Sequence, residues 1–352
     1  MGVGNLEGRS PSTRVRASVS PIPPDMPLLR LDSVTKRYGE TTAVDDVSFE
    51  AQPGRLFGLL GPNGAGKTSS IRMITNITTP DAGTITLGGE PVGPATQQRM
   101  GYLPEERGLY RKLKVGEQLV YLAQLKGMPL ADARAAVRRW LDRFDALGWA
   151  GKNTEELSKG QQQKVQFIAT IVHDPELVIL DEPFSGLDPI NADLLTQTIG
   201  DLREAGRTVL FASHRMESVE QLCDDLCLMA NGRVILSGPL REVKRRFGRD
   251  TVTVAFTGDG TWVPPLEADG AVRVLTQTSG LATLRLLRDT PPRRVLEAAL
   301  ASSPEVDRFE VHEPPLVDIF RQAVGGSEPT AAGAPPDGGV AAPLDAPLRT
   351  DS

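Results

Sequence analysis

A loop of eight residues has the composition and spacing of a phosphate-binding site. It fits the pattern G-x-x-x-x-G-K-[ST] and reads Gly61-Pro62-Asn63-Gly64-Ala65-Gly66-Lys67-Thr68. An apolar run over residues 55–60 precedes it and a helical pattern over residues 67–75 follows, which is the context that the motif requires. Glycines let successive backbone N–H groups curl around phosphate oxygens, and the helix adds its positive end. We expect Lys67 to reach the terminal phosphates, Thr68 to offer its hydroxyl to Mg²⁺ and Ser69 to complete the site; an ordinary glycine-rich turn is the alternative.

Two carboxylates follow a second apolar run, at residues 177–180. A continuous apolar run of this length is typical of a strand buried in a parallel sheet. Such a strand would deliver Asp181 and Glu182 to the carboxyl edge of the sheet, where nucleotides bind. We expect Asp181 to hold Mg²⁺ through water and Glu182 to act as general base on the attacking water. A purely structural pair is the alternative, and the phosphate loop weighs against it.

A third motif, residues 157–164, reads Leu-Ser-Lys-Gly-Gln-Gln-Gln-Lys. It resembles the signature motif of ABC-type ATPases, whose usual form is L-S-G-G-Q. Taken alone it indicates a helix that Ser158 caps, with the N–H groups of Gly160 and Gln161 forming a second anion site. In the family this site faces the γ-phosphate bound by the other subunit of a head-to-tail dimer. The resemblance therefore implies ATP as ligand, a P-loop NTPase fold with a helical subdomain, and a second ATP-binding subunit, with a homodimer favoured.

Three further positions match the family pattern. Tyr38 stands where these proteins place an aromatic ring against adenine, and a surface turn is its alternative. Asp188 ends a Ser-Gly-Leu-Asp segment that resembles the loop linking the two active sites of the dimer, and a plain turn is its alternative. His214 follows an apolar strand and resembles the switch histidine that contacts the γ-phosphate and orients the catalytic water. His173 and His312 lack this context, and we expect them at the surface or at helix ends.

Two residues depart from the family pattern. Glu105 occupies the place where most members have a glutamine that senses Mg²⁺ and connects to the membrane partner. A carboxylate serves as a hard oxygen ligand as well as an amide does, so we expect Glu105 to keep the metal and catalytic role. Lys159 replaces a common glycine in the signature, where it would either reinforce γ-phosphate binding or point to solvent.

The order of the predicted strands and helices that position these residues indicates a mostly parallel α/β core with a helical insertion. We expect a nucleotide-binding domain over residues 28–247, with a helical subdomain at about 113–165, and a small α+β domain over residues 250–324. The helices of the insertion are predicted from apolar residues at steps of three and four, which are Val115, Leu119, Leu122 and Leu125, and then Val137, Leu141, Phe144 and Leu147. Segments 1–27 and 325–352 are rich in Ser, Pro, Gly or Ala without periodicity, and are predicted to be disordered.

Composition excludes several classes of protein. The 352 residues are 39% hydrophobic and 24% charged, which is typical of a globular chain. No apolar run approaches the roughly 18 to 20 residues that span a bilayer. A net charge of −6 offers no general attraction to a phosphate backbone, so no nucleic-acid partner is expected. Two cysteines, Cys223 and Cys227, suit a reducing cytosol rather than a disulfide framework, and a redox or metal pair is the minor alternative.

These observations favour an ATP-hydrolysing motor subunit. The family resemblance covers about residues 28–247. Residues 104–110, the lysine in the signature and an appended domain that ends with residues 314–320 are most similar to ATPase subunits of ABC-2-type exporters, including sodium-extrusion and drug-resistance systems. The resemblance implies a separate membrane-spanning permease, contacted near residues 105–114 and the helices after them. The expected location is the cytoplasmic face of the cell membrane, or the cytoplasm when free. A soluble ABC ATPase acting on ribosomes or DNA and a non-hydrolysing scaffold are the alternatives.

Overall fold

The structure is a computed structural model, and it describes residues 26–106, 108–247, 251–287, 290–302 and 305–325. The predicted disorder of segments 1–27 and 325–352 therefore lies almost wholly outside the described residues. Within the described ranges, no helix is both long and apolar enough to cross a membrane.

Strands and helices alternate through most of the described chain. The strands are β1 (Leu29–Tyr38), β2 (Thr41–Ala51), β3 (Leu56–Leu60), β4 (Ala82–Leu87), β5 (Glu90–Pro91), β6 (Met100–Leu103), β7 (Leu177–Asp181), β8 (Thr208–Ser213), β9 (Asp225–Ala230), β10 (Arg233–Pro239), β11 (Thr251–Thr257), β12 (Val272–Thr278), β13 (Leu281–Leu286) and β14 (Glu305–His312). The helices are α1 (Lys67–Ile74), α2 (Pro94–Gln97), α3 (Val115–Leu125), α4 (Leu130–Arg143), α5 (Lys159–Ile171), α6 (Pro189–Glu204), α7 (Met216–Leu222), α8 (Leu240–Arg246), α9 (Val263–Ala268), α10 (Pro292–Ser302) and α11 (Leu316–Gly325).

The central sheet has the strand order β10-β9-β3-β8-β7-β6. Strands β9, β3, β8, β7 and β6 run parallel, and β10 pairs antiparallel with β9. Every residue of β3, β7 and β8 is buried, which explains why each strand is continuously apolar rather than alternating. Because the parallel strands end at one edge, the loops after β3, β7 and β8 lie next to one another.

An antiparallel sheet, ordered β2-β1-β4-β5, packs beside the central sheet. Strands β1 and β2 form a hairpin in which Tyr38 is paired with Thr41. Both strands run on to this turn, so they are longer than the apolar patterns predict. The hairpin brings Thr41 and its neighbours to the same sheet edge as the phosphate loop.

The helical insertion consists of α3, α4 and the start of α5. The predicted helix with Val115, Leu119, Leu122 and Leu125 is confirmed as α3. Helix α4 ends at Arg143, before the predicted positions 144 and 147, because Asp145 adopts a left-handed φ of 51° that breaks the helix. The remaining residues continue as a short 3₁₀ turn at Leu147–Trp149.

The C-terminal sheet is antiparallel, with the order β12-β13-β11-β14. Its core is separate from that of the ATPase-like part and includes Val254, Phe256, Trp262 and Leu284. The described part of the chain after residue 250 contains both strands, β11–β14, and helices, α9–α11, which is the α+β composition expected for this region. Helix α11 does not belong to this core, although it follows β14 directly in the chain.

Candidate active site

A cavity of about 570 Å³ opens at the carboxyl edge of the central sheet. The ends of β3, β7 and β8 supply its floor, and the hairpins β1-β2 and β9-β10 supply one wall. The residues that line it are Thr41, Thr42, Ala43, Asn63, Gly64, Ala65, Gly66, Lys67, Thr68, Ser69, Glu105, Asp181, Glu182, His214, Asn231 and Gly232. The tertiary structure thus brings the phosphate loop, both predicted carboxylates, Glu105 and His214 into one place.

The phosphate loop has glycines where the backbone leaves no room for a side chain. Gly61 has φ 151°, and a Cβ atom there would lie 2.3 Å from the carbonyl oxygen of Met229. Gly66 has φ 100°, and its Cβ would lie 2.6 Å from the carbonyl oxygen of Ala43. Both positions require glycine for conformation and for space. Immediately after Gly66, helix α1 begins and directs its free N–H groups toward the cavity.

Lys67 is held by the loop that precedes it. Its ammonium donates to the carbonyl oxygen of Gly61 at 2.6 Å and to that of Pro62 at 3.1 Å. Burial lowers the pKa of Lys67, and the carboxylates of Glu182, Asp181 and Glu105 act in the opposite direction. The cation is therefore folded back within the loop, close to where the terminal phosphates of a nucleotide would bind.

Negative charge is concentrated opposite the loop. Asp181 is 3% exposed at the end of β7. Burial first, and then the charges of Glu105 and Glu182, raise the pKa of Asp181 to about 6. The negative charge of Asp181 is consequently poorly balanced by neighbouring positive charge in the absence of a bound cation.

Glu182 is fixed by three hydrogen bonds from the end of the neighbouring strand. The hydroxyl of Ser213 donates to Oε2 at 3.0 Å, and the backbone N–H of His214 donates to Oε1 at 2.7 Å. Nδ1 of His214 also lies 2.7 Å from Oε1, and because a carboxylate only accepts, we assign the proton to Nδ1. Glu182 has a left-handed φ of 49°, an uncommon conformation for a non-glycine residue.

The residues expected to bind Mg²⁺ fit that ion. Magnesium takes hard oxygen ligands, keeps several waters and is commonly shared with substrate phosphates. Thr68, Asp181 and Glu105 all line the cavity and offer a hydroxyl and carboxylate oxygens. Among the residues that the structure describes, no three His, Cys, Asp or Glu side chains converge on a metal site of their own. The donors therefore suit an ion held jointly by protein and nucleotide.

Other predicted residues lie outside the cavity lining. Tyr38 is 43% exposed at the end of β1, beside Thr41, and the ammonium of Lys36 lies 5.6 Å from its ring centroid. Asp188 caps α6 by accepting from the backbone N–H of Asn191 at 3.0 Å, and this bond lowers the pKa of Asp188. Gly61 and Pro62 contribute carbonyl oxygens to Lys67 rather than cavity surface.

The signature segment begins helix α5 on a different surface. Ser158 is the N-cap, its hydroxyl accepts from the N–H of Gln161 at 3.3 Å, and Oε1 of Gln161 accepts from the N–H of Ser158 at 2.9 Å. This capping box confirms the helix start. Lys159 lines a neighbouring cavity of about 260 Å³ together with Glu105, Asp181 and Glu182. Gly160 opens the same helix and also lies outside the main cavity.

The two remaining histidines lie where the sequence predicts them, one at the surface and one at a helix end. His312 is exposed beside Glu310, as predicted. His173 follows the end of α5 but is largely enclosed, with Nε2 3.1 Å from the carbonyl oxygen of Met100. Burial lowers the pKa of His173 to about 4. His173 thus lies at a helix end, as the sequence predicts, and its partial enclosure is visible only in the tertiary structure.

Sequence reasoning also missed part of the cavity. Thr41, Thr42 and Ala43 come from the β1-β2 hairpin, and Asn231 and Gly232 come from the β9-β10 hairpin. The Asn-Gly pair is a strong hairpin signal, but nothing in the sequence indicates that this turn reaches the phosphate loop. The backbone N–H of Gly232 donates to the carbonyl of Ala65 at 3.1 Å, which fixes it there.

Comparison with known protein families gives matches along most of the described chain. The family model described as ABC transporter matches residues 44–185. The model described as ATP-binding protein DrrA1-3-like, C-terminal domain, matches residues 238–324. A model described as AAA domain, putative AbiEii toxin, Type IV TA system, overlaps at residues 152–220.

The similarity to curated relatives extends over 73–99% of their own chains. An uncharacterised ABC transporter ATP-binding protein of Bacillus subtilis is 43% identical over 85% of this chain and 99% of its own. Nod factor export ATP-binding protein I of Ralstonia nicotianae is 36% identical over 85% of this chain and 94% of its own. The linearmycin resistance ATP-binding protein of Bacillus subtilis is 36% identical over 64% of this chain and 73% of its own.

Solved structures agree in fold. An ATP-binding subunit of an ABC transporter superposes with a TM-score of 0.60 at 30% identity, covering 62% of this chain and 93% of that one. CbiO1 of Clostridium perfringens, described as part of the ABC transporter complex cbiONQ, gives a TM-score of 0.55 at 25% identity over 62% of this chain and 94% of that one. The phosphate loop, the carboxylates beyond β7 and this extent of similarity together establish that the chain belongs to the ATP-binding subunits of ABC transporters, which bind and hydrolyse ATP.

Proposed function

We propose that this chain is the motor subunit of an exporter and that Mg·ATP hydrolysis in its cavity drives a separate membrane-spanning subunit. The observation that carries the proposal is the arrangement of Glu182, Ser213 and His214 beside the phosphate loop. Two relatives are named for Nod factor export and for linearmycin resistance, and these names support export rather than import.

In this proposal different side chains act on the γ-phosphate and on the attacking water. Lys67 and the N–H groups at the start of α1 neutralise the phosphate oxygens, so that charge developing during transfer meets fixed donors. Glu182 accepts a proton from the attacking water, and His214 orients that water and contacts the γ-phosphate. Oε1 of Glu182 is occupied by His214, whereas Oε2 accepts, within the described part of the chain, only from Ser213 and so keeps a lone pair for the attacking water.

Mg²⁺ would be held by Thr68 and, through water, by Asp181, with Glu105 as the residue that senses it. The bound ion would supply neutralisation of phosphate charge. The raised pKa of Asp181 supports this assignment, because a cation is what the buried carboxylate lacks.

A second ATP-binding subunit completes the proposed site. Ser158 is exposed at the start of α5 and does not line the main cavity of its own chain. We assign Ser158, Gly160 and Gln161 to the γ-phosphate of a partner subunit in a homodimer, with Asp188 at the contact between the two sites and Tyr38 against adenine.

The proposed contact with the permease is a groove of about 310 Å³ between the helical insertion and β6. Leu109, Leu122 and Leu125 give it an apolar wall, and Leu125 is 57% exposed. Tyr110 and Tyr121 add exposed aromatic surface nearby, at 57% and 49%. Gly108 and Leu109 line the groove and belong to the segment where the family resemblance implies contact with the permease. Binding there would hold the chain as a peripheral subunit on the cytoplasmic face of the membrane.

The division into a nucleotide-binding domain at residues 28–247, with a helical subdomain at about 113–165, and an accessory domain at 250–324 is part of the same proposal. The separate hydrophobic core of the C-terminal sheet supports it.

The test combines turnover with co-purification. Glu182→Gln should lower kcat by about 10²- to 10⁴-fold while ATP still binds, because only the general base is removed. Affinity purification of this variant from detergent-solubilised native membranes with Mg·ATP should then yield a stoichiometric polytopic membrane protein. Unchanged turnover in Glu182→Gln would refute the catalytic assignment.

Groove variants test the site of contact. In the Glu182→Gln background, Leu125→Glu should abolish co-purification of the membrane protein. The matched control is Leu300→Glu on α10, where the leucine is exposed to a similar degree, 59% against 57%. Recovery of ribosomal or DNA-bound proteins without any membrane protein would refute the transport assignment.

A further inference from the structure

Helix α11 follows the C-terminal sheet in sequence but packs into the nucleotide-binding core. Leu316 and Ile319 are 3% and 1% exposed, and both belong to the hydrophobic cluster that contains Leu180 of β7 and Phe211 of β8. Removing these two apolar side chains from water stabilises the contact. The last helix of the accessory domain is therefore anchored on the ATPase part.

The element that α11 contacts is α7, which begins two residues after His214. On its other side, α7 presses on β3, the strand that leads into the phosphate loop. The approach is so close that a Cβ atom on Gly58 would lie 2.4 Å from Cγ1 of Val219. Helix α7 is thus enclosed between the phosphate-loop strand and α11, and any displacement of it moves the segment that carries His214.

One carboxylate joins the three helices that meet here. Oε1 of Glu220, on α7, accepts from the ammonium of Lys244 on α8 at 2.5 Å. Oε2 of the same side chain accepts from the backbone N–H of Leu316, at the start of α11, at 3.2 Å. Asp318 then pairs with Arg285 of β13 at 3.1 Å and ties α11 back to its own sheet. A continuous set of contacts runs from the C-terminal sheet to α7.

We propose that Glu220 is a positioning residue for His214, and that α11 is the means by which the C-terminal domain holds the catalytic segment in place. The proposal rests on the catalytic role proposed for His214. It assigns the C-terminal domain a function in setting turnover, since movement of its sheet reaches α7 through Asp318, α11 and Glu220.

The test uses the full chain with Glu220→Ala, which removes both hydrogen bonds. We expect kcat to fall by about three- to tenfold, within the range of coupling changes seen for residues that contact no ligand. The KM for ATP should stay within about twofold, because the phosphate loop is untouched. Backbone hydrogen exchange should rise over residues 214–222 and stay unchanged over residues 61–75.

A matched control and a conservative variant accompany it. Glu297→Ala removes an ion-paired glutamate from α10, where Arg293 contacts it at 2.6 Å, and should change neither kcat nor exchange in residues 214–222. Glu220→Gln keeps an acceptor for the N–H of Leu316 and should recover much of the loss. If Glu220→Ala fails to fold, Asp318→Asn serves in its place: it removes the charge that pairs with Arg285 and should lower kcat with the KM for ATP unchanged, and wild-type kcat there would overturn the proposal.

His214→Ala separates this proposal from the function on which it rests. Wild-type turnover in His214→Ala would refute the catalytic role proposed for His214. If His214→Ala loses most of its kcat while Glu220→Ala keeps the wild-type kcat and hydrogen exchange, the role of Glu220 alone is overturned. In the His214→Ala background, Glu220→Ala should lower kcat no further, and a full additional loss there would also overturn it.

Discussion

Replacing Asp181 by asparagine should stabilise the nucleotide-free protein while destroying its response to Mg·ATP. The side chain is 3% exposed, and burial together with Glu105 and Glu182 raises its pKa to about 6 from a usual 3.8. A raised carboxyl pKa means that the native state holds its proton more tightly than the unfolded chain does. Above that pH the native state therefore carries a charge that opposes folding, and asparagine removes it.

The magnitude follows from the size of the change in pKa. Moving a pKa from 3.8 to about 6 corresponds to about 3 kcal/mol at 1.36 kcal/mol for each tenfold change in proton affinity. The cost is absent below pH 3.8, develops between pH 3.8 and about 6, and is complete above this window. The gain in Asp181→Asn should accordingly be largest at pH 7.5 and about half as large at pH 5.

The assay is thermal unfolding with EDTA and without nucleotide, at pH 5 and pH 7.5. For a domain of about 200 residues each kcal/mol shifts Tm by about 2–4 °C, so a rise of several degrees is expected at pH 7.5. Adding Mg·ATP should raise Tm of the wild type and leave the variant nearly unchanged, because binding to the native state alone stabilises it.

Asp225→Asn is the matched control with the opposite sign. Asp225 is also buried, at 8% exposure, but it receives two hydrogen bonds from Arg55, at 2.5 and 2.8 Å. Losing that charge leaves a half-buried guanidinium without its partner, so Tm should fall at both pH values. A Tm for Asp181→Asn that is equal to or below that of the wild type at pH 7.5 would refute the electrostatic reasoning.

Three other outcomes follow from individual contacts. In steady-state assays Ser213→Ala should lower kcat by about threefold to tenfold at constant ATP affinity, because Glu182 loses a neutral hydrogen-bond donor. Ser213→Thr keeps a hydroxyl and should restore kcat. Equal kcat in the two variants would contradict this prediction. Gly61→Ala should abolish binding of a fluorescent ATP analogue, since its Cβ would lie 2.3 Å from a carbonyl oxygen, whereas Gly148→Ala, with open space around it, should bind normally. Tyr38→Ala should raise the KM for ATP and leave kcat unchanged, while Tyr38→Phe should match the wild type in the same assay.

Local sequence determines the parts of the site that form within one segment. The phosphate loop is specified by glycines whose backbone angles and lack of a side chain no other residue tolerates, as Gly61 and Gly66 illustrate. The strand before Asp181 is recognisable because burial on both faces requires a continuous apolar run. Ser158 and Gln161 start α5 through a capping box that spans four residues, so this start too can be predicted without the fold.

Relations between distant segments depend on the tertiary structure, because a contact between residues 31 or 96 positions apart leaves no periodicity in either segment. Ser213 reaches Glu182, and Asn231 reaches the phosphate loop, only because β8 and β9 flank β7 and β3 in the sheet. The placement of α11 is the strongest case. Its apolar residues predict a buried face, but the sequence does not say which core buries it, and only the folded chain sets it against α7 rather than against its own sheet. Sequence therefore determined the chemistry of this protein, and the packing of separate segments decided how that chemistry is held.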